Sequence, residues 1–424
     1  MKKMIVLIAA AVLAFPVIAS ADLIGDCYDC HTMHNSEQNA PVVAAGPQPN
    51  LLRYDCLGCH AQNPTCGTKD WTGPGGSIIP QVAHADATGD KSGGNFNQTT
   101  SRKVHSVVDV TSAGIAPVVP LGENVNDQPP GIPHTSNRHV FTSDTAANAF
   151  DEFTCAGARG CHGTRSQILA GQTVDNGTAN NWQIDARRTG IAAISGSHHN
   201  NMDGAWKTDT GYDNLPSVHD GAVVANGYRF IVGLFGYENT AREYISDTDR
   251  NEYYGNVTDD MGGGCGACHV QGFGSGDNQR ASFTSGIVSI NNSMSGFCSS
   301  CHGYFHSSGG GDYVDNGVSG AFLRHPSDWV IPNSGEYAGY TSYDPTAPIA
   351  KTTTGALPSA TVTPGVDAVG CLSCHVAHGS ANDYLLRFDY TTMTAGFYGD
   401  VPTAQAAGGC LACHTEKGVL PVNR

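Results

Sequence analysis

Six stretches of the chain read Cys-x-x-Cys-His: Cys27–His31, Cys56–His60, Cys265–His269, Cys298–His302, Cys371–His375 and Cys410–His414. Two thiols at this spacing, followed at once by an imidazole, form the attachment site of a c-type haem. The thiols add to the two vinyl groups, and the His becomes the proximal ligand of the iron. A chain of this Cys and His content should hold roughly 0.02 such motifs by chance. Paired Cys-x-x-Cys also builds zinc sites, but zinc does not require His directly after every second Cys. A seventh, stretched copy runs Cys155-Ala-Gly-Ala-Arg-Gly-Cys161-His162. It reads as a further haem, with a Cys155–Cys161 disulfide as the alternative. Seven covalently attached haems are therefore expected, with His31, His60, His162, His269, His302, His375 and His414 as proximal iron ligands.

Each six-coordinate iron needs a second, distal ligand. Of 18 His, eleven lie outside the motifs, so supply exceeds demand. Met would raise the potential, but few Met remain, and bis-His ligation is expected throughout. His34, His306 and His378 follow their motif His by one helical turn and project from the same side of the backbone. Each is placed to ligate a haem other than the one attached just before it, which brings two haems close together. His84, His105, His199 and His325 complete the expected distal set, with His139 and His198 in reserve. Pro326 disfavours helix at the residue before it, so His325 should sit on extended chain.

These residues need elements to carry them. The expected fold is mostly irregular and haem-dominated, with short α-helices bearing the motifs and minor β-strand content. Residues 1–21 read as a secretory signal peptide: Lys2 and Lys3, an apolar run, then Ala19-Ser20-Ala21. Residues 22–66 form an N-terminal dihaem unit, with Cys66 left as a free thiol or an intermolecular link. Residues 67–150 are a loop-rich, ligand-donating segment, rich in Gly, Pro, Ser, Thr and Asn. Residues 151–260 hold the stretched motif, with strand material near 221–236. The acidic stretch Asp247 to Glu252 fails the spacing of a calcium loop and reads as a solvated turn. Residues 261–330 form a central dihaem unit, 331–370 a connection, and 371–424 a C-terminal dihaem unit.

Charged residues are 14% of the chain, Gly numbers 53, and the formal net charge is −16. Haem propionates would add to that, so nucleic acid is excluded as a partner. Other redox proteins, metal ions and oxide surfaces are the partners expected. No second apolar run follows the signal segment, so no membrane span is expected. The chain should be exported to the periplasm, the outer cell surface or the medium.

The chain resembles the multihaem c-type cytochromes with doubled Cys-x-x-Cys-His motifs found in metal-reducing bacteria. The resemblance rests on Cys27 to Ser36, Arg102 to His105, Thr154 to Gly163, Gly196 to His199, Cys298 to His306, Leu323 to Pro326, and Cys371 to Ser380. It implies extracytoplasmic electron transfer rather than enzyme activity, at or beyond the outer membrane. Some similar cytochromes form extracellular filaments with a continuous haem chain, through identical subunits set head to tail. Two alternatives stay open at this point. A multihaem oxyanion reductase would need one open iron, and the stretched site is where to look for it. Electron storage would use the same chemistry with different connectivity.

Overall fold

The computed structural model describes residues 26–37, 40–43, 51–62, 67–86, 89–105, 107, 109–110, 113–115, 154–156, 160–162, 174–175, 183–184, 236–237, 244–248, 250–255, 282–284, 287–289, 294–299, 325, 327, 329–352, 358–393 and 408–417. Helices are short, and those carrying motifs barely exceed one turn. They are α1 (Cys27–Cys30), α2 (Cys56–His60), α3 (Met294–Ser299), α4 (Cys371–Cys374) and α5 (Cys410–Cys413). Strands are β1 (Ser36–Glu37), β2 (Ala40–Pro41), β3 (Asp70–Thr72), β4 (Ile78–Pro80), β5 (Thr154–Ala156), β6 (Gly160–His162), β7 (Val174–Asp175) and β8 (Gln183–Ile184). They continue with β9 (Gly236–Tyr237), β10 (Glu252–Tyr254), β11 (Ser282–Thr284), β12 (Ile287–Ser289), β13 (Trp329–Val330), β14 (Ala350–Lys351) and β15 (Ala368–Val369). The rest of the described chain is irregular, as a sequence this rich in Gly and turn residues dictates.

One sheet has five strands, in the order β13-β15-β14-β10-β9. The β10–β14 pair is parallel and its other pairs are antiparallel. Three of its strands lie in or at the edge of residues 331–370, so the segment read as a connection contributes structure of its own. Ile331, Tyr340, Ala347, Ile349 and Val362 bury there together with Ala412 of α5, and Cys413 packs against them. A fully buried Ile or Val contributes about 1.5–3 kcal/mol, so this small core fixes the last motif helix firmly. The strand material expected at 221–236 is described only from Gly236, where β9 begins.

The acidic stretch at Asp247 divides in two. Asp247 and Thr248 are exposed in a turn. Glu252, by contrast, is buried in β10 against Arg250, with Arg250 Nε 2.8 Å from its Oε1. The reading of the whole stretch as solvated therefore fails at its second half, where β10 is an inner strand of the sheet, buried along its whole length.

A second core gathers Ala61, Ala83, Phe96, Val104, Val107, Val110 and Ile115, with Leu57 and Cys155 packed against it. It joins α2, the segment after it, and the stretched motif. Its far edge docks on the C-terminal unit. His378 N–H donates to Gly93 O (2.7 Å), Asn95 N–H to Gly379 O (2.8 Å), and Ser380 N–H to Lys103 O (2.9 Å). Motifs distant in sequence are thus neighbours in space.

Candidate haem sites

Each regular motif described is built the same way. Cys27 and Cys30, Cys371 and Cys374, and Cys410 and Cys413 open and close single helical turns, so both thiols of a pair leave one side of the backbone. The following His then steps off the helix: His31 and His375 are extended, and each donates its N–H back to the first Cys carbonyl, at 2.8 and 3.0 Å. His414 does likewise to Cys410 O at 3.0 Å. Cys56, Cys59 and His60 lie in one short helix whose N-cap, Asp55, accepts from Gly58 N–H (2.6 Å). Cys155 and Cys161 of the stretched motif lie on segments that run side by side. Asp109 accepts the Cys155 N–H at 3.1 Å.

An axial imidazole must be neutral and must present one nitrogen, while the other bonds to the protein and fixes the ring. Three His show that second bond. His60 Nδ1 lies 2.8 Å from Pro80 O, His105 Nδ1 2.5 Å from Ala377 O, and His375 Nδ1 2.8 Å from Tyr384 O. Each Nδ1–H donates to a backbone carbonyl, which fixes the tautomer that carries its lone pair on Nε2. His414 is turned the same way, with Nδ1 3.4 Å from Glu336 Oε1. The carbonyl that holds His375 belongs to a strained turn, in which Tyr384 and Leu385 both have positive φ (61° and 58°). Strain of this kind costs on the order of 1–3 kcal/mol and collects at functional sites.

His84 and His378 differ in a telling way. His84 is 1% exposed, and neither ring nitrogen makes a hydrogen bond. Its Nε2 has only the Asp90 carboxylate at 3.4 Å. Burial pushes its pKa down, while Asp90 and Asp86 oppose that shift. His378 is partly buried, with an inaccessible Nδ1 that meets no hydrogen-bond partner. The Nδ1–Cε1 edge of its ring lies against Gly93, where a Cβ would come within 2.9 Å of both atoms. Burial, then His162 and His105, push its pKa down to about 3. Burial likewise lowers that of His105, helped by His375. Neutral imidazoles held away from water suit a metal ligand, and the donor chemistry of these residues fits a haem.

The remaining expected ligands fall as follows. His31 is partly buried and bridges to Leu52. His34 is exposed, beside Met33, itself 84% exposed. His162 and His378 rings stand 6.2 Å apart, and His325 and His414 rings 6.3 Å apart. The motif residues Cys265, Cys268, His269, Cys301 and His302 lie outside the described residues. So do His139, His198, His199, His306, Cys66 and the segment 1–21. Cys298 closes in from α3, and Ser295 Oγ accepts the Cys371 N–H at 3.0 Å.

Residues 364–419 match the doubled CXXCH motif family. That stretch holds the motifs Cys371–His375 and Cys410–His414. No curated protein matches it. Two solved structures align with it. One is the outer membrane cytochrome S filament from Geobacter sulfurreducens, 17% identical over 94% of this chain and 91% of that one, with a TM-score of 0.37. The other, OmcS nanowires from Geobacter sulfurreducens, is 18% identical over the same shares, with a TM-score of 0.36. Among the described residues, no helix is long and apolar enough to cross a membrane.

Several partners of the site carry no signature in sequence. The carbonyls of Pro80, Ala377 and Tyr384 are backbone groups that any residue supplies. Gly93, Gly94 and Gly379 were visible as glycines, but only the docked chain shows why side chains are excluded there. Gly94 has φ +85° and a Cβ on it would lie 2.2 Å from Gly379 O. Asp29, inside the first motif, accepts from Gly75 and Ser77 N–H and so fastens the β3–β4 hairpin to α1.

Proposed function

We propose that this chain is an electron-transfer protein with seven covalent c-type haems, each bis-His ligated, working outside the cytoplasm. One observation carries it: motif His60 and His375, and non-motif His105, all commit Nδ1 to a backbone carbonyl, which sets the ring lone pair on Nε2. A carbonyl bond of this kind orients an axial imidazole and fixes its tautomer. The thioethers would form at Cys27, Cys30, Cys56, Cys59, Cys155, Cys161, Cys265, Cys268, Cys298, Cys301, Cys371, Cys374, Cys410 and Cys413. Bound there, haem iron supplies a reversible one-electron couple whose potential is set by axial ligands, burial and hydrogen bonds. His34, His84, His105, His199, His306, His325 and His378 are the distal set. The units bounded at 22–66, 67–150, 151–260, 261–330 and 371–424 serve as attachment and ligand-donating modules, and 331–370 connects the last two.

His34 is the residue this reading offers to a second copy. Asn35 holds its loop open at φ 51° while bonding Val43 through Nδ2 and Oδ1, and His34 projects from that fixed loop into solvent. A head-to-tail contact of this kind is heterologous and grows into a filament where it does not close. The order of motifs in space departs from sequence order, because the Cys371 motif packs beside the stretched one. The filament reading therefore rests on His34 and not on opposed chain ends. Other redox proteins, metal ions and oxide surfaces are the remaining partners.

Intact mass of the holoprotein with a pyridine haemochrome assay tests the haem count. Seven haems, with only low-spin signals in electron paramagnetic resonance of the oxidised protein, are expected. Six haems with Cys155 and Cys161 oxidised to one another would remove the stretched site. A high-spin iron that binds nitrite or sulfite would turn the reading toward a reductase.

A further inference from the structure

His378 follows His375 by one turn, yet its ring does not return to that motif. It stacks on Phe96 (centroids 4.8 Å apart, planes 22° apart) and faces His162 across 6.2 Å at 55°. His325 and His414 stand in the same relation, 6.3 Å apart at 77°. Two imidazoles on opposite faces of one metal, each with its nitrogen about 2 Å from the ion, hold their centroids about 6 Å apart whatever the angle between their planes. In each pair one member is a motif His and the other is not, as a proximal and a distal ligand must be. The environments agree. His378 is pressed against Gly93, and His414 has its Nδ1 engaged by Glu336 and its edge against Tyr337 (5.1 Å).

We propose that His162 and His378 ligate one iron, that of the haem on Cys155 and Cys161, and that His325 and His414 ligate the iron on Cys410 and Cys413. The assignment rests on the multihaem reading above and adds the connectivity it lacks. Because His375 and His378 are one turn apart, the third and sixth haems become direct neighbours. Electrons then pass from the N-terminal three haems to the C-terminal pair without travelling through the motifs at Cys265 and Cys298. The Cys298 motif meets the same place through α3, where Ser295 holds the start of α4. Cys374 and Cys410 lie close enough to influence one another. The haem of Cys371–His375 is therefore a junction of the third and the seventh.

Methionine substitution in the full holoprotein tests this. His378→Met should convert one haem to His–Met ligation. Magnetic circular dichroism would show a thioether-to-iron charge-transfer band worth one haem, and that haem's potential would rise. Combined with Cys155→Ser and Cys161→Ser, which remove the third haem, the same substitution should give no such band. A band of undiminished intensity in that background places His378 on another iron and overturns the first pair. His325→Met, with and without Cys410→Ser and Cys413→Ser, reads the second pair by the same logic.

Haem counts on every variant keep two failures apart. A wild-type chain without covalent haem defeats the cytochrome reading itself. A full haem count with the wrong band defeats only the pairing. Should a variant fail to accumulate, the iron ligands in a structure of the unaltered holoprotein decide. His378 opposite His162 supports the assignment, and any other residue there ends it.

Discussion

In the five-stranded sheet, buried charges meet buried charges. Lys351 Nζ lies 3.2 Å from Asp367 Oδ1, and the Arg250 guanidinium lies against Glu252 and over the Tyr343 ring, 3.1 Å from its centroid. In the seam between residues 93–105 and 375–380 the buried Asn95 and Ser380 are hydrogen-bonded, while the half-buried ring of His378 keeps an Nδ1 that no hydrogen bond reaches. Buried polar groups without partners are costly, so natural chains match them or reserve them for a ligand. The sheet is closed by its own side chains. The seam is closed on its backbone, through Gly93, Gly94 and Gly379, and under the proposed pairing its imidazoles serve as iron ligands. One region should therefore behave as ordinary folded protein, and the other as a structure completed by its cofactor.

The largest effect is expected where the sheet's matching is broken. Arg250→Met strands the Glu252 carboxylate in a site that is 1% exposed, and removing one partner of a buried pair costs about 3–5 kcal/mol. Adding Glu252→Leu should recover most of that loss. Chemical denaturation followed by far-ultraviolet circular dichroism would measure both. The low-spin haem signals should survive in each variant. Their loss alongside the sheet would show that the two regions are one unit, coupled through Arg387, which bonds both Tyr253 of β10 and the Leu372 carbonyl of α4.

The seam should break through its backbone. Gly94→Ala would place a Cβ 2.2 Å from Gly379 O at a residue with φ +85°. Positive φ and a backbone collision together should cost about 2–4 kcal/mol. The loss should appear as a high-spin iron signal, because the strand that positions His378 is displaced. Gly114→Ala sharpens the reading. Gly114 has φ +70° with nothing within 4 Å, so it carries the conformational cost alone, about 1 kcal/mol, and should leave the haem spectrum unchanged. Equal spectra for the two variants would mean that the Gly94–Gly379 contact does not hold the ligand.

How much of this was legible in sequence follows the same division. The motif turns, and His105, His325 and His378 as candidates, could be read because attachment chemistry depends on side-chain identity at fixed local spacing. The sheet could not. Strands β13, β14 and β15 are two residues each, too short for an alternating pattern, and their segment reads as Pro-, Gly- and Thr-rich chain. Glu252 reads as solvated because it sits in a run of charged residues, and only the assembled sheet buries it together with Arg250. The pairing of His162 with His378 was illegible for another reason. Proximity across most of the chain is a property of docking, made by the hydrogen bonds of Gly93, Asn95 and Lys103 rather than by any residue type.

A smaller effect concerns the first motif, which combines the two modes. Asp29 sits between Cys27 and Cys30, so it belongs to a haem site, yet it is matched as the sheet's charges are. It accepts from Gly75 N–H and from Ser77 N–H (2.9 Å). Burial raises its pKa, but hydrogen bonds from Ser77 and Gly75 and the charge of Arg53 outweigh that, and the net shift is downward. A carboxyl whose folded pKa is depressed contributes stability above its unfolded value, near 3.8, and loses it as pH falls through the folded value. Asp29→Asn keeps the shape and removes the charge, so it should cost about 1–2 kcal/mol at neutral pH. Denaturation of both proteins across a pH series should show that gap constant down to about pH 4 and closing below it. A gap that persists in strong acid would assign the effect to packing against Gly73 and Gly75. The haem count should stay the same throughout, since the hairpin that Asp29 holds supports α1 without supplying a thiol.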